Sequence, residues 1–86
     1  MENIEIDKMN TQVTLRLNMD LYNYEATLQA SKKFSENFWV IIEGNPTEKL
    51  IVHLKPKPEF VNDVNLDELG YEFYNFTLSL MQNILE

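Results

Sequence analysis

Phe38-Trp39-Val40-Ile41-Ile42-Glu43, then Gly44-Asn45-Pro46-Thr47, then Glu48-Lys49-Leu50-Ile51-Val52-His53-Leu54-Lys55 is the stretch that decides the fold. Two apolar runs bracket a cluster of Gly, Asn and Pro, the pattern of a β-hairpin closed by a loop of about four residues. Side chains alternate along a strand, so Val40, Ile42, Leu50, Val52 and Leu54 share one face. Trp39, Ile41, Ile51 and His53 take the other. Both faces are largely apolar, and a hairpin alone covers neither.

Upstream, Thr11 to Asn18 alternates cleanly, with Val13, Leu15 and Leu17 inward and Thr14, Arg16 and Asn18 outward, which predicts a half-buried strand. Asn18-Met19-Asp20 breaks the alternation, and a helix is predicted from Tyr22 or Asn23 to about Asn37. Its packing side, Asn23, Thr27, Ala30, Ser31 and Phe34, is built mostly from small residues that let a helix lie close on a sheet. Lys32 and Lys33 fall in its last third, where positive charge suits the helix dipole. Residues 1–10, in which only Ile4 and Ile6 alternate, are read as a flexible arm good for at most a frayed strand. Residues 11–86 then form a single domain.

Downstream, Lys55-Pro56-Lys57-Pro58 ends the hairpin, because each proline removes a ladder donor and disfavours helix before it. After a loop from Glu59 to Val64, Asn65 and Glu68 make a capping-box-like start to a helix reaching about Leu85. Leu66, Leu69, Phe73, Phe76, Leu80 and Ile84 form its main apolar stripe. A second row, Tyr71, Tyr74, Leu78, Met81 and Leu85, widens the arc beyond the roughly 100° of an ordinary surface helix. That excess predicts burial on two sides or contact with another chain.

The order strand–helix–strand–strand–helix (βαββα) is an α+β pattern. A right-handed crossover puts the first strand beside the third, giving a three-stranded antiparallel sheet in the order 2-3-1. Both helices lie on one face, a ferredoxin-like split βαβ arrangement lacking its last strand. Two surfaces remain uncovered: the sheet face with Trp39, Ile41 and Ile51, and the outer edge of the first strand, flanked by Thr14 and Arg16. Leaving three large apolar side chains in water forfeits roughly 5–9 kcal/mol. That rivals the stability of a small domain, so association is expected.

With 86 residues, 44% of them hydrophobic, the chain forms one compact domain. The absence of cysteine excludes disulfides, thiolate metal sites and a cysteine nucleophile. Eight acids and seven bases give −1 through Lys57. The rest of the net −7 is Glu59, Asp63, Asp67, Glu68, Glu72 and Glu86, unrelieved by any Lys or Arg. Such a tail repels phosphates, which argues against a nucleic-acid partner. The acidic N-terminus has no apolar core of a signal peptide, and no apolar run approaches the roughly 18 residues of a membrane span. A soluble cytoplasmic protein is expected.

No catalytic constellation stands out. His53 is the only histidine and has no evident companions for a metal. Glu43 and Glu48 flank a turn without a catalytic signature, two glycines cannot build a phosphate loop, and Ser31, Ser35 and Ser79 lack a neighbouring base. A non-enzyme with no cofactor and no metal is expected.

Leu21-Tyr22…Glu25-Ala26…Ala30…Phe34, Ile51-Val52…Leu54-Lys55-Pro56-Lys57 and Phe73-Tyr74-Asn75-Phe76 resemble the small D protein of His-Xaa-Ser systems. Members of that family are encoded with radical SAM maturation proteins and a presumed precursor peptide bearing His-Xaa-Ser repeats. The resemblance spans Val13 to Leu80 and implies a non-catalytic accessory that binds the peptide or a maturation enzyme. A peptide strand added beside the first strand would run past Thr14 and Arg16. A structural homodimer, the alternative, would bury Trp39, Ile41, Ile51 and the second row of the last helix. Taken together, Thr14, Arg16, Trp39, Ile41, Ile51, His53, Tyr74 and Leu78 are the expected partner-binding residues.

Overall fold

The computed structural model describes residues 3–85, with side chains as far as residue 82. The elements run β1 (Ile4–Asp7), β2 (Gln12–Asn18), α1 (Tyr24–Phe34), β3 (Phe38–Asn45), β4 (Lys49–Pro56), a 3-10 turn (Pro58–Asp63) and α2 (Leu66–Leu85). The chain is an α+β fold, with a four-stranded antiparallel sheet in the order β1-β2-β4-β3 and two main helices packed together.

The expected neighbours are present, since β2 pairs with β4 and β4 with β3, all antiparallel. The sheet is nevertheless not three-stranded. Ile4–Asp7, inside the segment read as an arm, pairs with β2 and occupies the edge expected to be free. Ile4 lies opposite Leu15 and Ile6 opposite Val13, so both isoleucines extend the apolar face of the sheet. Glu5 points the other way and meets Arg16 at 2.9 Å. The turn is closed by Asp7, whose carboxylate accepts from the Asn10 backbone N–H at 3.1 Å and its side-chain amide at 2.8 Å. The N-terminal segment thus supplies a fourth strand to the sheet. Its sequence signal is weak because β1 is four residues long and its solvent-facing positions carry acids.

α1 is shorter than expected. Asn23 is its cap and not part of its packing face: the backbone there is extended, and Oδ1 accepts from the Ala26 N–H at 2.6 Å. Ala26, Thr27, Ala30 and Ser31 are buried, and the two hydroxyls donate to the carbonyls of Asn23 and Thr27. Bonding back to the carbonyl one turn earlier lets small polar residues enter a core without an unpaired group. For α2, Asn65 Oδ1 accepts from the Asp67 N–H at 2.9 Å, as a cap should.

The core lies between sheet and helices. Val13, Leu15, Leu17, Val52 and Leu54 from the sheet meet Ala30, Leu69 and Phe73. Phe34 is the hub of an aromatic cluster, with ring centroids 5.0 Å from Phe73, 5.7 Å from Phe38 and 6.0 Å from Phe76. α2 runs close to the sheet at Gly70, where a Cβ would stand 3.0 Å from the Ile4 side chain and 3.1 Å from that of Leu15. Both helices serve one face of the sheet, and the other is left open. Ile84 and Leu85, expected in the two rows of α2, have side chains outside the described residues.

Candidate interaction surface

Register places the open face in cross-strand rows. Glu5, Thr14, His53 and Ile41 make one row, and Arg16, Ile51 and Glu43 the next. Trp39 lies opposite Lys55. Of the expected residues, Thr14, Arg16, Ile51, His53, Trp39 and Ile41 are therefore brought together on this face.

The face has two unlike halves. Between β2 and β3 it is polar and internally bonded. Thr14 Oγ1 lies 2.9 Å from His53 Nδ1, and His53 Nε2 lies 2.6 Å from Glu43 Oε2. A carboxylate only accepts, so Nε2 carries the proton, and Nδ1 of a neutral ring accepts from the Thr14 hydroxyl. Ile51 and His53 are half-buried in this network. Along β3 the face is apolar and open, with Trp39 56% and Ile41 61% exposed. Lys57 Nζ stands 4.9 Å from the centre of the Trp39 ring, within cation–π range.

A hydroxyl–imidazole–carboxylate chain can activate a nucleophile when a cleft and oxyanion donors accompany it. Here it runs across the outer surface of the sheet. A concavity of about 270 Å³ is lined by Asn3, Ile4, Arg16, Asn18 and aromatic residues of the helical side. Another, of about 320 Å³, lies around Phe34, Phe38 and Glu72. Neither is lined by Thr14, His53 or Glu43. Among the described residues no group of three His, Cys, Asp or Glu is placed to hold a metal ion, and no helix is long and apolar enough to cross a membrane.

The two helical residues expected to bind a partner lie elsewhere. Tyr74 is half-buried, stacks on Tyr22 at 5.4 Å between centroids, and donates its hydroxyl to the Arg16 carbonyl at 2.7 Å. It fastens α2 to β2. Leu78 is 40% exposed on α2. Docking of a peptide strand beside β2 is excluded by β1, which already pairs with Thr14 and its neighbours. Glu43, Glu5 and Lys57 belong to the surface and were not expected there. Glu43 shares the strand parity of Trp39 and Ile41, which was a usable signal. Lys57 carried none, since Pro56 reads as the end of the strand.

The sheet has one long open end. β3 pairs with β4 alone among the described residues. The Lys57 N–H donates to the Asn37 carbonyl at 3.0 Å, and Pro56, which has no N–H, lies opposite Phe38. Bonded and non-bonded pairs alternate in an antiparallel ladder. Asn37, Trp39 and Ile41 therefore turn their backbone groups toward β4, whereas Phe38, Val40 and Ile42 turn theirs outward.

Compared with protein-family models, curated proteins and solved structures, the chain gives no match in any of the three.

Proposed function

We propose that the chain is a non-catalytic interaction module that docks a partner protein or peptide on the open face of its sheet, around Trp39, Ile41 and Lys57. The observation that carries this reading is the exposure of Trp39 and Ile41 side by side on the layer the helices do not cover. An aromatic anchor with a cation over its ring suits a partner offering apolar and carboxylate or carbonyl groups. Beside it, Thr14, His53 and Glu43 supply donors and acceptors already held in place. The resemblance to the D proteins of His-Xaa-Ser systems narrows the partner to a precursor peptide or a radical SAM maturation enzyme.

The test is amide and side-chain shift mapping with a synthetic His-Xaa-Ser repeat peptide. Shifts centred on Trp39, Ile41 and His53 support the proposal. Shifts confined to α1 and α2, or none up to millimolar peptide, would reject it for that peptide.

A further inference from the structure

We infer that the open end of the sheet is closed by a second copy of this chain, β3 pairing antiparallel with β3 about a two-fold axis at Val40. This goes beyond the docking face, which it would extend across two subunits.

The sheet's two ends are treated differently. β1 is short and carries Glu5 and Asp7, devices that discourage a further strand. β3 offers Phe38-Trp39-Val40-Ile41-Ile42, five residues without a charge, a proline or a glycine. Its outward N–H and C=O groups belong to Phe38, Val40 and Ile42. Gly44, at φ 109°, departs from regular strand geometry and limits straight pairing to the residues before it. The regular uncharged segment is thus centred on Val40.

That centre makes the strand complementary to itself. Val40 pairs with Val40 of the second copy, and Phe38 with its Ile42, all through the groups that point outward. Trp39 then stands opposite the other Ile41 as a non-bonded pair, where side chains approach most closely. Two Trp39–Ile41 pairs form one apolar cluster on the open face. On the opposite face Phe38, Val40 and Ile42 continue the core layer from one subunit to the next. A two-fold centred on Ile41 would instead set Trp39 against Glu43 and require Gly44 in the ladder.

Charge agrees with this approach. The hairpin from Phe38 to Lys57 carries Glu43 and Glu48 against Lys49, Lys55 and Lys57, so it is slightly basic within a chain of net charge −7. Copies meeting through β3 keep the acidic segment after Lys57 out of the contact ladder. The same register puts Glu43 in the row of Asn37 and Lys57 of the second copy, an ion pair within reach of a lysine.

The chain has no cysteine, which permits a clean test. Trp39→Cys and Ile41→Cys are made separately and oxidised alone and mixed. Facing non-bonded residues have Cα atoms about 4.5 Å apart, inside the disulfide range. The mixture is expected to give a cross-linked heterodimer and neither variant alone a cross-link. Sedimentation of the unmodified chain is expected to give twice the chain mass, and Val40→Pro, which removes an outward N–H and no donor to β4, the single mass. A monomer at millimolar concentration, or Ile41→Cys cross-linking by itself, would overturn the proposal. So would a monomer whose Phe38, Val40 and Ile42 amides become protected only on adding a foreign peptide. A monomer that still binds the repeat peptide at Trp39 leaves the docking reading standing; a β3 dimer that ignores the peptide does the reverse.

Discussion

His53 reaches past its register partner Ile41 to bond Glu43 diagonally, Nε2 to Oε2 at 2.6 Å. Its other ring nitrogen is held by Thr14, directly opposite on β2. The two contacts fix both the ring plane and the tautomer. Nitrogen-15 spectra of the neutral imidazole should therefore show the Nε2–H form as the dominant species. Thr14→Val removes the donor to Nδ1 and should raise the share of the other tautomer. Glu43 is 59% exposed at its side chain, so its pairing is screened by water. Glu43→Ala should then cost no more than about 1 kcal/mol in a urea unfolding curve. A larger loss would mean that the network holds β3 and β4 together, not merely the ring.

Trp39 is the only tryptophan, so intrinsic emission reports the open face directly. Whatever packs beside its edge, one face of the indole looks toward solvent and Lys57. Lys57→Ala should shift the emission and the acrylamide quenching constant while leaving the far-ultraviolet circular dichroism unchanged. An exposed cation–π pair contributes about 0.5–1 kcal/mol, so the midpoint of unfolding should move little. Unchanged emission and quenching would place the ammonium away from the ring.

The hairpin, both helices and the neighbours of the three long strands were legible because each carries its own periodicity. Val13, Leu15 and Leu17 alternate in the sequence and all three are fully buried. β1 was not legible, since two isoleucines separated by an acid describe a strand only once Leu15 and Val13 stand opposite them. The face with Trp39 and Ile41 was visible from parity alone. Its polar half was not, because whether Glu43 reaches His53 depends on side-chain direction across two strands and not on spacing. Tyr74 shows the opposite limit: a tyrosine in the second row of α2 reads as a partner surface, yet its hydroxyl reaches the Arg16 and Asn3 carbonyls and its ring lies against Tyr22, so the side chain is half-buried within the chain.

The two glycines should respond differently to alanine. At Gly44, φ is 109° and a Cβ would stand 2.5 Å from the Lys49 carbonyl oxygen, a backbone atom with no room to move. Gly44→Ala should destabilise the chain by about 1–3 kcal/mol, the usual cost of a strained backbone. At Gly70 the backbone is helical, and alanine would gain up to about 1 kcal/mol of helix propensity. Against that stand Ile4 and Leu15 at 3.0 and 3.1 Å; Ile4 is on a short edge strand that can yield, and Leu15 is fully buried. Gly70→Ala should therefore cost less than Gly44→Ala. Equal losses in thermal unfolding would contradict the close approach at residue 44.

Asp7 makes the attachment of β1 dependent on pH. The side-chain amide of Asn10, then its backbone N–H, hold the Asp7 carboxyl below its ordinary value of 3.8. A carboxylate depressed in the folded state supports that state above the unfolded pKa, near 3.9. The support fades as pH falls through the folded value, when the protonated carboxyl loses its preference for the two donors. The group is fully exposed, so the effect is local to the turn between β1 and β2. Hydrogen-exchange protection factors should therefore fall first for amides in the β1–β2 ladder as pH drops below about 4, while those shared by β2 and β4 hold. In Asp7→Ala the ladder should be less protected at neutral pH, with no further selective loss on acidification. Uniform loss across all three strand pairs would assign the acid response to global unfolding and not to this turn.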